Sequence, residues 1–309
     1  MALHPLRIGT RGSPMALYQA NLVRDRLIAS HPELGAPGMI ELEVIRTTGD
    51  RVQNRLLAEI GGKGLFTKEI EQALIDRRVD FAVHSLKDME TFLPEGLAIV
   101  CVLPRDDPRD ALVTRDSATL ASLPPGARIG TASLRRAAQL LRRRPDLVAA
   151  PIRGNVDTRL GRLASGEVDG LLLALCGLER LGRTDVVSEI LSVEEMLPAA
   201  GQGALAIEAR ADDAELAALL APLHDMESAA CITAERAMLA ALDGSCRTPI
   251  AGLAEARGDR LYLKALLLAA DGSAAREAAG TAALTAAAAL GGDIGETLRR
   301  GAGAEFGLS

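Results

Sequence analysis

The sequence predicts an α/β protein built from two similar lobes with a cleft between them, followed by a smaller α+β domain. Three observations predict it. Strand and helix signals alternate through the first two-thirds of the 309 residues, a series of short motifs returns in the same order further along, and after about Pro222 the pattern changes to a long helix and Ala-rich strands. At roughly 150 residues per domain, a chain of this length holds two or more domains.

Leu6–Thr10 is a short apolar run that stops at a Gly/Ser/Pro turn. Ser13-Pro14 then supplies an N-cap with proline at the first helical position, opening a helix that runs to about Ser30. A β-branched run near Glu41–Thr48, a helix from about Thr67 to Arg77 and a buried strand Val79–His84 complete a βαβαβ order. Such alternation calls for mainly parallel strands, with ligand sites at their carboxyl ends.

The echo begins with Arg7-Ile8-Gly9-Thr10, followed by Ser13 and a helix, which returns as Arg128-Ile129-Gly130-Thr131, followed by Ser133 and a helix. Ile45-Arg46 before Gly49-Asp50 is answered by Ile152-Arg153 before Gly154-Asn155, and Val79-Asp80 by Val168-Asp169. Three ordered correspondences predict two lobes of related topology, and a ligand cleft between lobes follows from that. The charged, proline-broken segment Pro104–Asp110 reads as a hinge. Leu197–Ala204 is a second break, leading into a strand-like Leu205–Ala209 that returns to the first lobe. The expected domains are therefore 1–104 with 200–221, then 105–199, then 222–309, the last with helices near Ser228–Leu242 and Leu284–Arg300.

Hydrophobic residues at 48% and charged residues at 25% are ordinary for a globular chain. A net charge of −6 argues against a surface that coats nucleic acid, and 2 Tyr, 4 Phe and no Trp leave few platforms for stacking bases. No basic segment leads into an apolar run at the N-terminus, and no apolar stretch approaches the ~18 residues that span a bilayer, so a cytoplasmic protein without membrane contact is expected. Cys101, Cys176, Cys231 and Cys246 show no C-x-x-C spacing, which leaves metal and redox roles unsupported.

The chemistry lies in arginines. Arg11, Arg135, Arg136, Arg153, Arg159 and Arg180 fall where the lobes are expected to face each other, and guanidinium forks pair with carboxylate or phosphate. Ser13, Thr131 and Ser133 add hydroxyl and backbone donors near helix starts. Arg135 and Arg136 open a helix, where the dipole disfavours cations, and so call for a functional reason. His84-Ser-Leu-Lys-Asp88 follows a buried strand, so Lys87 and Asp88 can project from its carboxyl end; a carboxylate there can hold an N–H, stabilise a cation or carry a proton, while a plain surface Lys-Asp pair fits the position as well. His84 reads as a satisfied core histidine. Gly61–Gly64 lacks phosphate-loop spacing and reads as a loop, with Lys63 and Phe66 as lid candidates. Cys246 sits in a loop beside Arg247, which favours the thiolate.

Taken together, Arg11-Gly-Ser13, Gly61-Gly-Lys-Gly-Leu-Phe66, His84-Ser-Leu-Lys-Asp88, Asp107-Pro-Arg-Asp110, Gly130-Thr-Ala-Ser-Leu-Arg-Arg136, Arg153-Gly-Asn-Val-Asp-Thr-Arg159, Gly201-Gln-Gly203 and the Cys246 loop resemble the porphobilinogen deaminases, or hydroxymethylbilane synthases. The resemblance runs in order from about residue 6 to 250. It implies lobes like those of periplasmic binding proteins, and a monomeric transferase of tetrapyrrole and haem biosynthesis that joins four porphobilinogen molecules head to tail and releases hydroxymethylbilane. It also implies a dipyrromethane cofactor held by a thioether to Cys246, with Asp88 as the catalytic carboxylate. Ser85, Lys87, Thr131, Ser133, Arg135 and Arg136 match positions that contact the cofactor. Arg11, Ser13, Arg153, Arg159 and Arg180 are left to pair with substrate carboxylates. Met89-Glu90 and Gly244-Ser245 depart from the commoner residues at their positions without removing a reacting group. A two-lobed cytosolic anion-binding module without catalysis would explain the lobes and arginines equally, but requires neither Cys246 nor Asp88. A cysteine hydrolase would need a His-Asp pair to activate the thiol, and none is evident.

Overall fold

A computed structural model describes residues 4–51, 66–243 and 248–308. In chain order the first elements are β1 (Leu6–Thr10), α1 (Pro14–Ser30), β2 (Ile40–Val44), α2 (Thr48–Arg51), α3 (Lys68–Ile75), β3 (Phe81–Ser85) and β4 (Leu97–Val102). There follow β5 (Asp110–Thr114), β6 (Arg128–Gly130), α4 (Leu134–Arg143), β7 (Val148–Ala150), α5 (Val156–Ala164), β8 (Gly170–Ala174), α6 (Leu175–Arg180) and β9 (Glu189–Ile190). The last are β10 (Leu205–Arg210), α7 (Ala214–Leu220), α8 (Met226–Ala241), β11 (Ile250–Arg257), β12 (Arg260–Leu268), β13 (Ala275–Ala283) and α9 (Ala287–Arg299). The chain forms two compact units, Met1–Arg105 with Ala204–Ala229, and Asp106–Gly203 with Ala230–Ser309.

The first unit is a lobe around a five-stranded sheet, ordered β2-β1-β3-β10-β4. β1 runs parallel to β2 and β3, whereas β10 is antiparallel to both β3 and β4. Ser13 caps α1 by accepting from the Ala16 amide at 3.2 Å, and Pro14 stands where a helix needs no amide donor. Ala16, Ala20, Val23 and Leu27 recur at helical spacing and are buried, so α1 lays one stripe over the sheet beside Ile8, Phe81 and Val83. The opposite face carries α3, whose Ile70, Ala73 and Leu74 pack with Ala82 and Val79. At about 1.5–3 kcal/mol per fully buried aliphatic side chain, these two layers hold the lobe together.

The second unit repeats the plan with the order β7-β6-β8-β5-β9. β6 is parallel to β7 and β8, and β5 is antiparallel to β8 and β9. Mainly parallel strands were expected, and four of the five in each sheet run the same way, with β10 or β5 as the one reversed strand. β5 and β10 are the strands next to two of the three places where the chain passes between units, and a strand arriving that way needs none of the crossover connection that parallel pairing demands. Even the glycine of the echo has a reason: a Cβ on Gly130 would lie 2.8 Å from both Ile152 and Leu171, and one on Gly9 3.1 Å from Val79. The remaining elements of the second unit form an antiparallel sheet, β11-β12-β13, whose core is shared with α8 and α9. Leu197 and Ala138 pack with Ala251, Leu253 and Leu266, which joins this sheet to the lobe.

Candidate active site

In the first lobe β3 ends at Ser85 and turns at once into a short 3-10 segment, Leu86–Asp88. Leu86 N–H donates to the Ala204 carbonyl at 3.0 Å and Met89 N–H to that of Leu86 at 3.1 Å, so the backbone of the turn is fixed at both ends. Ser85 Oγ accepts from Nε2 of the buried Gln19 at 2.7 Å. Lys87 is half-buried and Asp88 is exposed. At the end of β1, the Arg11 guanidinium lies 4.3 Å from the centroid of the Phe66 ring, a cation–π arrangement that orients both. Ser13 is occupied as the cap of α1. Lys63 and Cys246 lie outside the described residues.

The second lobe uses charge differently. Thr131 is buried and its hydroxyl accepts from the Ser133 amide at 3.1 Å, and Ser133 caps α4 by accepting from the Arg136 amide at 3.4 Å. Arg135 and Arg136 are 5% and 6% exposed and converge on one carboxylate, that of Asp110, which is wholly buried. Arg135 donates to Asp110 Oδ2 at 2.8 Å, Arg136 to Oδ1 at 2.7 and 3.1 Å, and Gln202 to Oδ1 at 2.8 Å. Burial alone would raise the Asp110 carboxyl, but the two guanidinium charges and the bonds from Arg136 and Gln202 outweigh it and hold the group well below the usual range. The helix-start argument for Arg135 and Arg136 therefore needs correcting in its physics: an aspartate from another element, with the Leu197 and Leu172 carbonyls, accepts the cations that the α4 dipole disfavours.

Two guanidiniums against one carboxylate leave a buried excess of positive charge, and Arg135 Nε has no hydrogen-bond partner among the described residues. Arg153 likewise has a buried Nη1 without one. Arg159 donates from Nε to the Gly154 carbonyl at 2.8 Å. Arg180 is bound internally. It contacts the Asp106 carboxylate at 2.7 Å and donates to the Gly203 carbonyl at 2.8 Å, thereby tying together two of the chain passages on the side of this unit. Sequence reasoning missed Asp110, Asp106 and Gln202 as site residues. For Asp110 a signal existed, an acidic residue opening the strand Asp110–Thr114, every position of which is buried.

Cys101, Cys176 and Cys231 are buried, and burial pushes the Cys101 thiol up to about 12, so it is not a nucleophile. Among the described residues no helix is long and apolar enough to cross a membrane.

Residues 6–218 match the family described as porphobilinogen deaminase, dipyromethane cofactor binding domain, and residues 229–300 match porphobilinogen deaminase, C-terminal domain. The chain belongs to the porphobilinogen deaminase family. The porphobilinogen deaminase of Paracoccus denitrificans is 53% identical over 98% of this chain and 96% of its own length, and that of Nitrobacter hamburgensis 52% over 97% and 94%. Among solved structures, the periplasmic aliphatic sulphonate binding protein SsuA from Escherichia coli covers 77% of this chain and 70% of its own, at 16% identity and a TM-score of 0.42. As a porphobilinogen deaminase the chain carries Arg11, Asp88, Arg135 and Arg136 within the span matched to cofactor binding, and Cys246 within that matched to the C-terminal domain. The family membership removes the non-catalytic anion-binding alternative.

Proposed function

We propose that the protein is a transferase that forms carbon–carbon bonds between porphobilinogen units, four in succession, with Asp88 as the catalytic carboxylate. The observation that carries this reading is the excess of guanidinium over carboxylate in the second lobe, where Arg135 and Arg153 keep buried nitrogens without hydrogen-bond partners among the described residues. Each pyrrole of the product chain brings an acetate and a propionate, and such donors fit carboxylates bidentately. A dipyrromethane group fits the same donors. When bound it supplies a free pyrrole α-carbon as acceptor, and Cys246 is its proposed point of thioether attachment. Three domains, 1–104 with 200–221, 105–199 and 222–309, would separate the carboxylate, the arginines and the attachment cysteine.

The residues then have distinct tasks. Arg135 and Arg136, preset by Asp110, orient carboxylates without losing side-chain freedom on binding. Thr131 and Ser133 serve the same anionic groups. Arg153 and Arg159 pair with carboxylates of incoming substrate, together with Arg11 and Ser13 from the first lobe. Lys87 and Ser85 flank the carboxylate. Arg180 is assigned here to bracing the chain passages, since both its strong partners are internal. Asp88 accepts a hydrogen bond from the substrate pyrrole N–H, which stabilises the cation left when ammonia departs from the aminomethyl group. With the dipyrromethane group held through Cys246, its free α-carbon would supply the nucleophile for the new bond, and Asp88 would accept the proton that this carbon gives up. Localisation in the cytoplasm and a monomeric state accompany this reading.

Intact-protein mass spectrometry tests it. The active protein is expected to carry a dipyrrole-sized adduct that is lost in Cys246→Ala, and an unmodified mass in protein that turns over porphobilinogen would overturn it.

A further inference from the structure

Beneath the turn that carries Asp88 lies a set of ionisable groups with no task in the chemistry above. His84 on β3 and Glu208 on β10 share one face of the first lobe's sheet. Ala206 stands opposite His84 and Ala82 opposite Glu208, and these small residues leave the room in which the larger pair meets on the diagonal. His84 Nε2 lies 3.1 Å from Glu208 Oε2, with the side chains 6% and 0% exposed. The distance is that of an ion pair but the angle is not that of a hydrogen bond, because Nε2 and both Glu208 oxygens have no hydrogen-bond partner among the described residues. The expectation of a satisfied core histidine is corrected accordingly.

α3 lays a third group, the buried Glu71, over the same face. Burial raises the Glu71 carboxyl above its ordinary value, the charges of Glu208 and Glu90 push it the same way, and the Thr67 hydroxyl and His84 oppose them. The groups acting on one another are thus Glu71 from α3, His84 from β3, Glu208 from β10 and Glu90 from the segment after the turn. Burial beside other carboxylates disfavours the ionised form of Glu71, so its proton is held to higher pH than on an ordinary carboxyl.

Its position gives it consequence. β3 continues directly into Ser85 and the Leu86–Asp88 turn, and α3 begins just after Phe66, whose ring lies under Arg11. We propose that Glu71, set over the buried His84–Glu208 pair, is a positioning residue whose protonated carboxyl holds α3 to the sheet, so that the presentation of Asp88 and Phe66 depends on the protonation of Glu71. The proposal rests on the reading of Asp88 as the catalytic carboxylate.

Glu71→Gln and Glu208→Gln test it in the full-length protein carrying its native modification, with ammonia release from porphobilinogen followed between about pH 6 and 9. Glutamine at 71 imitates the protonated form, and the alkaline limb of kcat is expected to move up by ~0.5 unit or more, with KM changed less than about twofold. Glutamine at 208 removes the charge that keeps the proton on Glu71, and the limb is expected to move down. Hydrogen exchange of the Leu86 and Met89 amides, corrected for intrinsic rate, reads the lock without turnover: protection falls as pH rises in the unsubstituted protein and stays level in Glu71→Gln. Unmoved pH profiles, or protection that is independent of pH in the unsubstituted protein, would overturn the proposal even if melting temperatures change. A protein that releases no ammonia but shows the exchange pattern keeps the lock and loses the functional reading.

Discussion

The two lobes are built on one frame and use charge in opposite ways. In each, an aspartate at the foot of the third strand accepts from the amide of the first strand's arginine, Asp80 from Arg7 at 2.7 Å and Asp169 from Arg128 at 2.8 Å, and a serine caps the helix that follows. Past that frame they diverge. The first lobe leaves Asp88 exposed and Arg11 and Lys87 half-buried, while the second buries Arg135, Arg136 and Arg180 and gives each a carboxylate. An exposed carboxylate can follow a reacting ligand and exchange protons, whereas a buried and prepaired guanidinium is rigid and has no conformational freedom left to lose. On the reading proposed above, the first lobe supplies the reacting carboxylate and the second the preset guanidiniums.

The sharpest way to break this comparison is Asp110→Ala. Removing the carboxylate strands two guanidiniums in the interior, and a loss of about 3–5 kcal/mol in urea unfolding is expected, together with failure to retain the dipyrrole adduct. A loss below about 1 kcal/mol would mean that water already reaches the network. Asp88→Ala is the converse. Turnover is expected to fall by about 10²–10⁴-fold while stability stays within ~0.5 kcal/mol, because the side chain is exposed. Near-normal turnover would reduce Asp88 to surface decoration.

Acid and base separate the lobes as well. Asp110 is depressed by its arginines, so its contribution is whole above the ordinary carboxylate value of 3.8 and declines as pH falls below it. Glu71 is raised from 4.5 by burial, so its contribution is whole at low pH and is lost as pH climbs through its elevated value. Hydrogen exchange is therefore expected to loosen the second lobe first on acidification and the α3 side of the first lobe on alkalinisation. The same order of loss at both extremes would contradict the assignment.

The frame was legible because its signals are local. A serine cap with Pro14, a β-branched run and a repeated Arg-Ile-Gly-Thr each lie within a few residues, and the helix Pro14–Ser30 and the strand Leu6–Thr10 appear where the spacing puts them. The return of Leu205–Arg210 to the first sheet was legible from a break followed by an apolar run. The charge networks were not. Asp110 meets Arg135 and Arg136 from another strand, and Glu71, His84 and Glu208 come from three elements, so their pairing exists only once the sheet register is set. The partners of Arg180 were hidden for the same reason: nothing near it in sequence announces Asp106 or the Gly203 carbonyl.

The smallest expected effect is the most exacting test of the shared frame. Asp80 and Asp169 perform the same task, but Asp80 is 21% exposed and also meets the Arg7 guanidinium at 3.3 Å, whereas Asp169 is 42% exposed and reaches Arg115 at 3.4 Å. Both lose one charge-assisted bond to a backbone amide when replaced by alanine, worth about 1.5–3 kcal/mol where water is excluded. The flanking ion pairs add little at such exposure. Asp80→Ala is therefore expected to cost about 1–2 kcal/mol and Asp169→Ala about half of that, with adduct retention unchanged in both. If Asp169→Ala proves the costlier, water does not discount its bond as supposed. The buried arginines above it would then depend on the foot of β8 for their placement, and the lobe's anchoring would reach beyond Asp110 to the frame itself.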